Sequence, residues 1–160
     1  MAGEILSDSS FSHIIEAPIE LIDIPAWLYS LSTEEYRRCS PQHIAASATF
    51  ADDGTRMSIN VEMIGGSLLV QNYVEHVGER NHVKLVSITY VFSPNGRTTS
   101  EVTWDLSVKK IDVNRCEYTN HVTARATEPF LAFIKEHGIS IRSKPASRRT
   151  AMDFAISRAY

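Results

Sequence analysis

Between Gln42 and Ala126 apolar and polar residues alternate along six consecutive runs, and each run ends in a cluster of residues that reverses a chain. The clusters are Asp53-Gly54, Gly65-Gly66, Gly78 to Asn81, Ser93-Pro94-Asn95-Gly96 and Asp112 to Arg115. Gly and Asn tolerate positive φ, Pro fixes φ for the second position of a turn, and Asp and Asn side chains bond their own backbone. Runs of about 8 to 12 residues between such turns predict a six-stranded antiparallel meander.

Turn chemistry also predicts register. With Asp53 and Gly54 as the two central residues of a hairpin turn, Phe50 faces Met57, Ala48 faces Ile59, Ala46 faces Val61 and Ile44 faces Met63, and every pair is apolar. The reverse face of these strands holds His43, Ala45, Ser47, Thr49, Ser58, Asn60 and Glu62. Further along, Val86, Ile88, Tyr90 and Phe92 form one apolar face, continued by Val102, Trp104, Leu106 and Val108 and by Val122, Ala124 and Ala126. A slightly longer loop at Ser93 to Gly96 sets Val86 opposite Trp104, and a three-residue loop at Asp112 to Asn114 sets Trp104 opposite Val122. Tyr118, Asn120, Leu69, Gln71 and Tyr73 join that buried surface.

Two registers compete at Gly65-Gly66. A two-residue turn sets Glu62 opposite Leu69 and Asn60 opposite Gln71, bringing the His43 and Glu62 face to the side of Trp104. A loop one residue longer brings the Ile44 and Met57 face inside and leaves His43 and Glu62 in water. Burying each of Ile44, Phe50, Met57, Ile59, Val61 and Met63 stabilises by roughly 1.5 to 3 kcal/mol, which favours the second arrangement. A dimer covering the apolar half-sheet would restore the first.

The flanks read as cover for the sheet. Residues 1 to 10 are small and polar and predict a loose arm. Phe11 to Ile24 predicts an edge strand broken at Pro18, which has no amide hydrogen to give a ladder. Pro25 suits a first helical turn, and Ser32 precedes Glu35 at capping-box spacing, so two short helices follow. Beyond the meander, Thr127 caps a helix bearing Phe130, Leu131, Phe133 and Ile134 and ending at Gly138, and Ala146 to Tyr160 resumes helical spacing after Pro145. The basic run Arg142, Lys144, Arg148 and Arg149 predicts a solvated helix start.

Composition narrows the classes. The chain of 160 residues is 43% hydrophobic and 22% charged, the usage of one ordinary globular domain. A net charge of −3 gives no field for phosphates, so nucleic acid is excluded as a partner. No apolar run approaches the ~20 residues of a bilayer span, which excludes membrane insertion. Cys39 and Cys116 predict free thiols, and with a polar N-terminus they predict a cytoplasmic protein. Buried amides such as Gln71 and Asn120 each cost a few kcal/mol unless they meet water, a side chain or a ligand. They therefore mark a cavity for an apolar, aromatic small molecule, with Tyr73, Tyr90, Trp104 and Tyr118 as its walls. Candidate acid/base groups are His43, Glu62 and Glu75, and this chemistry requires no cofactor. No G-x-G-x-x-G phosphate fingerprint and no local signature of a nucleophilic triad occurs.

The order of strand, short helices, six-stranded meander and closing helix resembles the helix-grip superfamily, which includes START lipid-transfer domains, birch-pollen-type allergens and polyketide aromatase/cyclases. Ile15-Glu16-Ala17-Pro18-Ile19-Glu20, followed by Trp27 and Leu31, carries the likeness locally. About five extra residues, Leu21 to Pro25, and the split of the last helix at Gly138 and Pro145 depart from the family. The resemblance implies an α+β fold, a curved antiparallel sheet of about seven strands wrapped around a C-terminal helix, with two short helices after the first strand and a cavity for an apolar or polyketide-like ligand. Ser40-Pro41-Gln42-His43, Gly54 and Val61-Glu62-Met63-Ile64-Gly65-Gly66 further resemble the diacetylphloroglucinol hydrolases. That likeness implies a divalent metal, with His43 and Glu62 as ligands, in a carbon-carbon bond hydrolase. The later His and Glu spaced by four that complete that family's site have no counterpart here, which leaves either Glu75, His76 or His121 as further donors or no metal at all.

Overall fold

The computed structural model describes residues 3–140. Strand β1 (Ile5–Ile15) is followed by a 3-10 turn (Ile19–Leu21) and by helices α1 (Ile24–Ser30) and α2 (Thr33–Cys39). Then come β2 (His43–Phe50), β3 (Arg56–Ile64), β4 (Ser67–Glu79), β5 (His82–Ser93), β6 (Gly96–Asp112), β7 (Arg115–Ala126) and α3 (Glu128–Glu136). The strands form one antiparallel sheet in the order β1-β7-β6-β5-β4-β3-β2. The meander expected from the sequence is present with each turn in its expected place.

The expected loose arm is corrected from Ile5 onward. Ser7 to Ser10 pair with Ala124 to His121, so the small polar residues belong to β1. The strand starts six residues before Phe11 and ends at Ile15, short of Pro18, which follows the ladder instead of interrupting it.

Register differs from expectation where turn length differs. Ala51 bonds Thr55 across the first hairpin, leaving Asp52, Asp53 and Gly54 as a three-residue loop with Gly54 at φ 84°. The pairing slips by one, so Thr49 faces Met57, Ala48 faces Ser58 and Ala46 faces Asn60. At the second hairpin Gly65 and Gly66 both take positive φ, 58° and 83°, the requirement of a two-residue turn matched to strand twist. Ile64 therefore faces Ser67, Glu62 faces Leu69 and Asn60 faces Gln71. The arrangement favoured by apolar burial is overturned.

Pro94 and Asn95 likewise form a two-residue turn, because Ser93 pairs with Gly96. Leu85 then stands opposite Trp104, and the inward residues of β5 are Leu85, Ser87 and Thr89. Val86, Ile88, Tyr90 and Phe92, expected inside, lie on the outer face. Between β6 and β7 an irregularity at Lys110 to Asp112 offsets a turn one residue shorter than expected, and Trp104 does face Val122.

The helices start as their sequence dictates. Asp23 accepts the Ala26 amide at 3.0 Å ahead of Pro25, and Ser32 and Glu35 complete a capping box. Both helices pack on the inner face, where Ile24, Trp27, Leu28 and Tyr36 meet Tyr73, Leu85, Leu106 and Tyr118 in one core. Thr127 caps α3 through the Phe130 amide and ties it to β6 by donating to the Thr99 carbonyl at 2.8 Å. Gly138 follows at φ 61°. The helix and basic run expected after Pro145, with Arg142 and Lys144, lie outside the described residues. Among the described residues no helix is long and apolar enough to cross a membrane.

Candidate functional site

His43 reaches the inner face through a local irregularity. Its amide bonds the Ser40 carbonyl just after α2, and Met63 bonds Gln42 across the hairpin. An extra residue, Ile44, separates the pair His43 and Glu62 from the pair Ala45 and Val61. A bulge of this kind shifts parity by one, so His43 shares the inner face with Glu62 even though Ala46 and Ala48 also point inward. The expected diagonal relation between His43 and Glu62 is in fact a direct cross-strand pair.

Four side chains define the centre. The His43 ring stacks flat on Tyr36, with centroids 3.8 Å apart and planes 3° from parallel. His43 Nδ1 lies 2.7 Å from the Tyr36 carbonyl oxygen, and because a carbonyl can only accept, the proton resides on Nδ1. That leaves Nε2 with its lone pair toward Glu62 Oε2, at 3.7 Å. The other carboxylate oxygen, Oε1, accepts from Gln71 Nε2 at 2.9 Å. Both side chains are largely buried, at 11% and 14% exposure.

Burial acts on the two groups in opposite directions. It lowers the His43 pKa, against the raising effect of the Tyr36 carbonyl, and it raises that of Glu62, against the lowering effect of Gln71. The two affinities for a proton approach one another, as a pair that passes a proton requires. Burial, reinforced by the Glu62 charge, also raises the pKa of Tyr36 and Tyr73, so both stay hydroxyl donors.

From this pair the inner face runs across the sheet through Tyr73 to Trp104, their rings 5.4 Å apart, and from Trp104 Nε1 to Asn120 Oδ1 at 2.9 Å. Around that line apolar Leu85, Val102 and Leu106 are joined by small polar side chains that are also buried: Ser58, Asn60, Ser87, Thr89, Thr98 and Ser100. Ser87 and Thr89 are joined at 3.0 Å, and Ser87 accepts the Asn72 amide at 2.8 Å. Among the described residues, Thr98 Oγ1 has no hydrogen-bond partner.

The structure thus brings His43, Glu62, Gln71, Tyr73, Trp104, Tyr118 and Asn120 onto one face. Two amides expected to meet a ligand have internal tasks as well, Gln71 holding Glu62 and Asn120 receiving the Trp104 indole. Tyr118 is fully buried beside the His13 ring. Tyr90 is corrected: the Pro94-Asn95 turn puts it on the outer face, 44% exposed. Glu75 is inside but committed, accepting from Tyr29 Oη at 2.8 Å and pairing with Arg56 at 2.9 Å. The Arg56 guanidinium also covers the Tyr29 ring at 4.8 Å.

The further metal donors considered from the sequence do not join His43 and Glu62. His76 is on the outer face, His121 pairs with Asp8 at 2.6 Å on that same side, and Glu75 is held by Arg56. Among the described residues no group of three or more His, Cys, Asp or Glu is placed to hold a metal ion. Tyr36 was not anticipated as part of the site. Its only sequence signal is its place one turn into a capped helix that ends just before His43.

No protein-family model matches the sequence, and no curated protein does. Solved structures do. A START superfamily protein from Mycobacterium smegmatis has a TM-score of 0.53 at 12% identity, over 96% of this chain and 99% of that one. The Zhui aromatase/cyclase from a Streptomyces species has a TM-score of 0.59 at 9% identity, over 95% and 92%. Norcoclaurine synthase from Thalictrum flavum, in complex with dopamine and hydroxybenzaldehyde, has 0.54 at 15% identity, over 95% and 84%. At such identities the likeness is one of fold.

Proposed function

This chain has the helix-grip fold, and on that scaffold we propose that it binds an aromatic or polyketide-like small molecule against the inner face and moves a proton on it. The observation that carries the reading is the buried His43 and Glu62 pair, with each group's second polar atom already occupied by Tyr36 or Gln71. His43 Nε2 is the base that takes a proton from carbon next to a carbonyl or from a hydroxyl. Glu62, held protonated more readily by burial, gives its own proton to the substrate, and the proton on His43 Nε2 then passes to Glu62 to reset the pair. Tyr73 and Trp104 supply ring surfaces, and the hydroxyls of Ser87, Thr89 and Thr98 suit the oxygens of the ligand. Cyclisation, isomerisation and elimination of such molecules all pass through this step.

Enolisation of benzoylacetone, an aryl diketone, followed by absorbance, tests the reading. Wild-type protein is expected to accelerate it, and Glu62→Gln and His43→Ala to lose about 10² of that acceleration while still displacing a fluorescent apolar probe from the protein. Equal rates for wild type and both variants, with no displaceable probe, end the proposal.

A second reading uses the same atoms as metal ligands, since a histidine anchored at Nδ1 presents Nε2 to an ion. The described residues supply two donors where a zinc centre takes three or four, so the donor set does not fit a complete site. Metal analysis of untagged protein checks this: stoichiometric metal lost in His43→Ala would restore it.

A further inference from the structure

The outer face of β3, β4 and β5 is apolar where the inner face is polar. Met57, Ile59 and Val61, then Val70 and Val74, then Val86, Ile88 and Tyr90 share it by cross-strand register. Ile88 is 50% exposed, Tyr90 44%, and Phe92 and Met63 41% each. An open groove of about 510 Å³ runs between Met57, Val74, Val86, Ile88 and Tyr90, with Asn72 and His76 on either side of Val74 along β4. From these observations we infer that this half-sheet is the interface of a homodimer, packed face to face by a second copy of the chain.

Area decides for a second copy. At ordinary side-chain areas the exposed and half-exposed apolar residues make a patch of roughly 600 Å² on each copy, the upper end of what a monomer leaves open and a size that marks an interaction surface. Two such patches bury about 1,200 Å² in total, the lower bound of specific interfaces and well above casual contacts. The patch carries no charged side chain at its centre, while Lys84, Arg97 and Glu101 border it on the same face with both signs, so it is complementary to itself.

Strand addition along the β2 edge is blocked at Ala46. Thr33 Oγ1 accepts the Ala46 amide at 3.2 Å and donates to the Ala46 carbonyl at 2.9 Å, occupying both free edge groups of β2 at that residue. A two-fold axis lying between the sheets and crossing the strands near Tyr90 sets Phe92 of each copy over Ile88 of the other. The groove then receives a side chain that would otherwise stand in water.

Sedimentation equilibrium of the full chain tests this inference independently of the acid/base reading. A reversible dimer with micromolar dissociation is expected, weakened at least tenfold by Ile88→Glu and unchanged by Ser107→Glu, which adds the same charge on the outer face of β6 at the end far from Tyr90. Circular dichroism checks that both variants stay folded, and Phe92→Ser repeats the test without a charge. A wild-type chain that stays monomeric at about 0.5 mM overturns the inference, as does a dimer insensitive to both Ile88→Glu and Phe92→Ser or a monomer whose groove is filled by another protein or an amphiphile.

Discussion

The two faces of strands β3 to β5 carry opposite chemistry at neighbouring positions. Asn60 is buried beside half-exposed Ile59, Ser87 is fully buried beside half-exposed Val86, and Thr89 is fully buried beside half-exposed Ile88. A sheet folded for stability alone would choose the reverse, because apolar burial is the main driving term and hydroxyl burial gives at best a small net gain. Turn lengths at Gly65-Gly66 and Pro94-Asn95 impose the observed parity. The arrangement gives up transfer free energy on the inside, where hydroxyls and amides are buried, and leaves an apolar surface outside.

The sharpest way to break the contrast lies at the acid/base pair. Glu62→Gln should cost about 10² in proton-transfer rate and yet stabilise the fold at neutral pH. The sign follows from its raised pKa: the folded protein keeps a proton that the unfolded chain releases above 4.5, so stability falls as pH rises through the folded value. The gain in melting temperature over wild type should therefore grow between pH 4.5 and 7, and a loss that is flat with pH would make Glu62 a mere structural group.

A smaller effect, on stability alone, is expected where the inner face meets α1. A Cβ on Gly78 would lie 2.4 Å from the Glu75 carboxylate and 2.7 Å from Arg56 Nη2. Gly78→Ala should displace the side-chain ends of the Tyr29, Glu75 and Arg56 tie and cost up to about 1 kcal/mol by denaturant titration, leaving the His43 site's pH profile unchanged.

Exchanging polarity sharpens the contrast further. Thr89→Val keeps shape and removes the hydroxyl, and is expected to change stability by no more than about 1 kcal/mol while weakening binding of an oxygenated aryl ligand several-fold by calorimetry. Unchanged affinity would assign the hydroxyl row to plain packing.

The smallest effect is in the pH profile. Burial pushes His43 below its ordinary 6.5 and Glu62 above its ordinary 4.5, so the rate should be bell-shaped, with its two limbs displaced toward each other from those ordinary values and belonging to the pair jointly. In the same way, the folding stability contributed by neutral His43 is present above 6.5 and lost as pH falls through its folded value.

Much of this was legible beforehand. Every turn cluster is a turn, Ser32 and Glu35 form a capping box, and the side shared by Gln71, Tyr73, Trp104, Tyr118 and Asn120 reads from alternation together with turn spacing and the cost of burying amides. Ser7 to Ser10 were misread because small polar residues on an edge strand look like a tail. Tyr90 was misread because alternation names two faces without saying which is inner.

What the amino-acid sequence determines by itself is local: where strands end, which helices are capped, and which residues share a side of a strand, since φ preference and side-chain spacing act over a few residues. Tertiary structure alone decides which side faces inward and what His43 touches. A single residue of turn length or one bulge inverts a whole strand, and the Tyr36 carbonyl and Gln71 amide reach their targets only when α2, β2 and β4 have packed together.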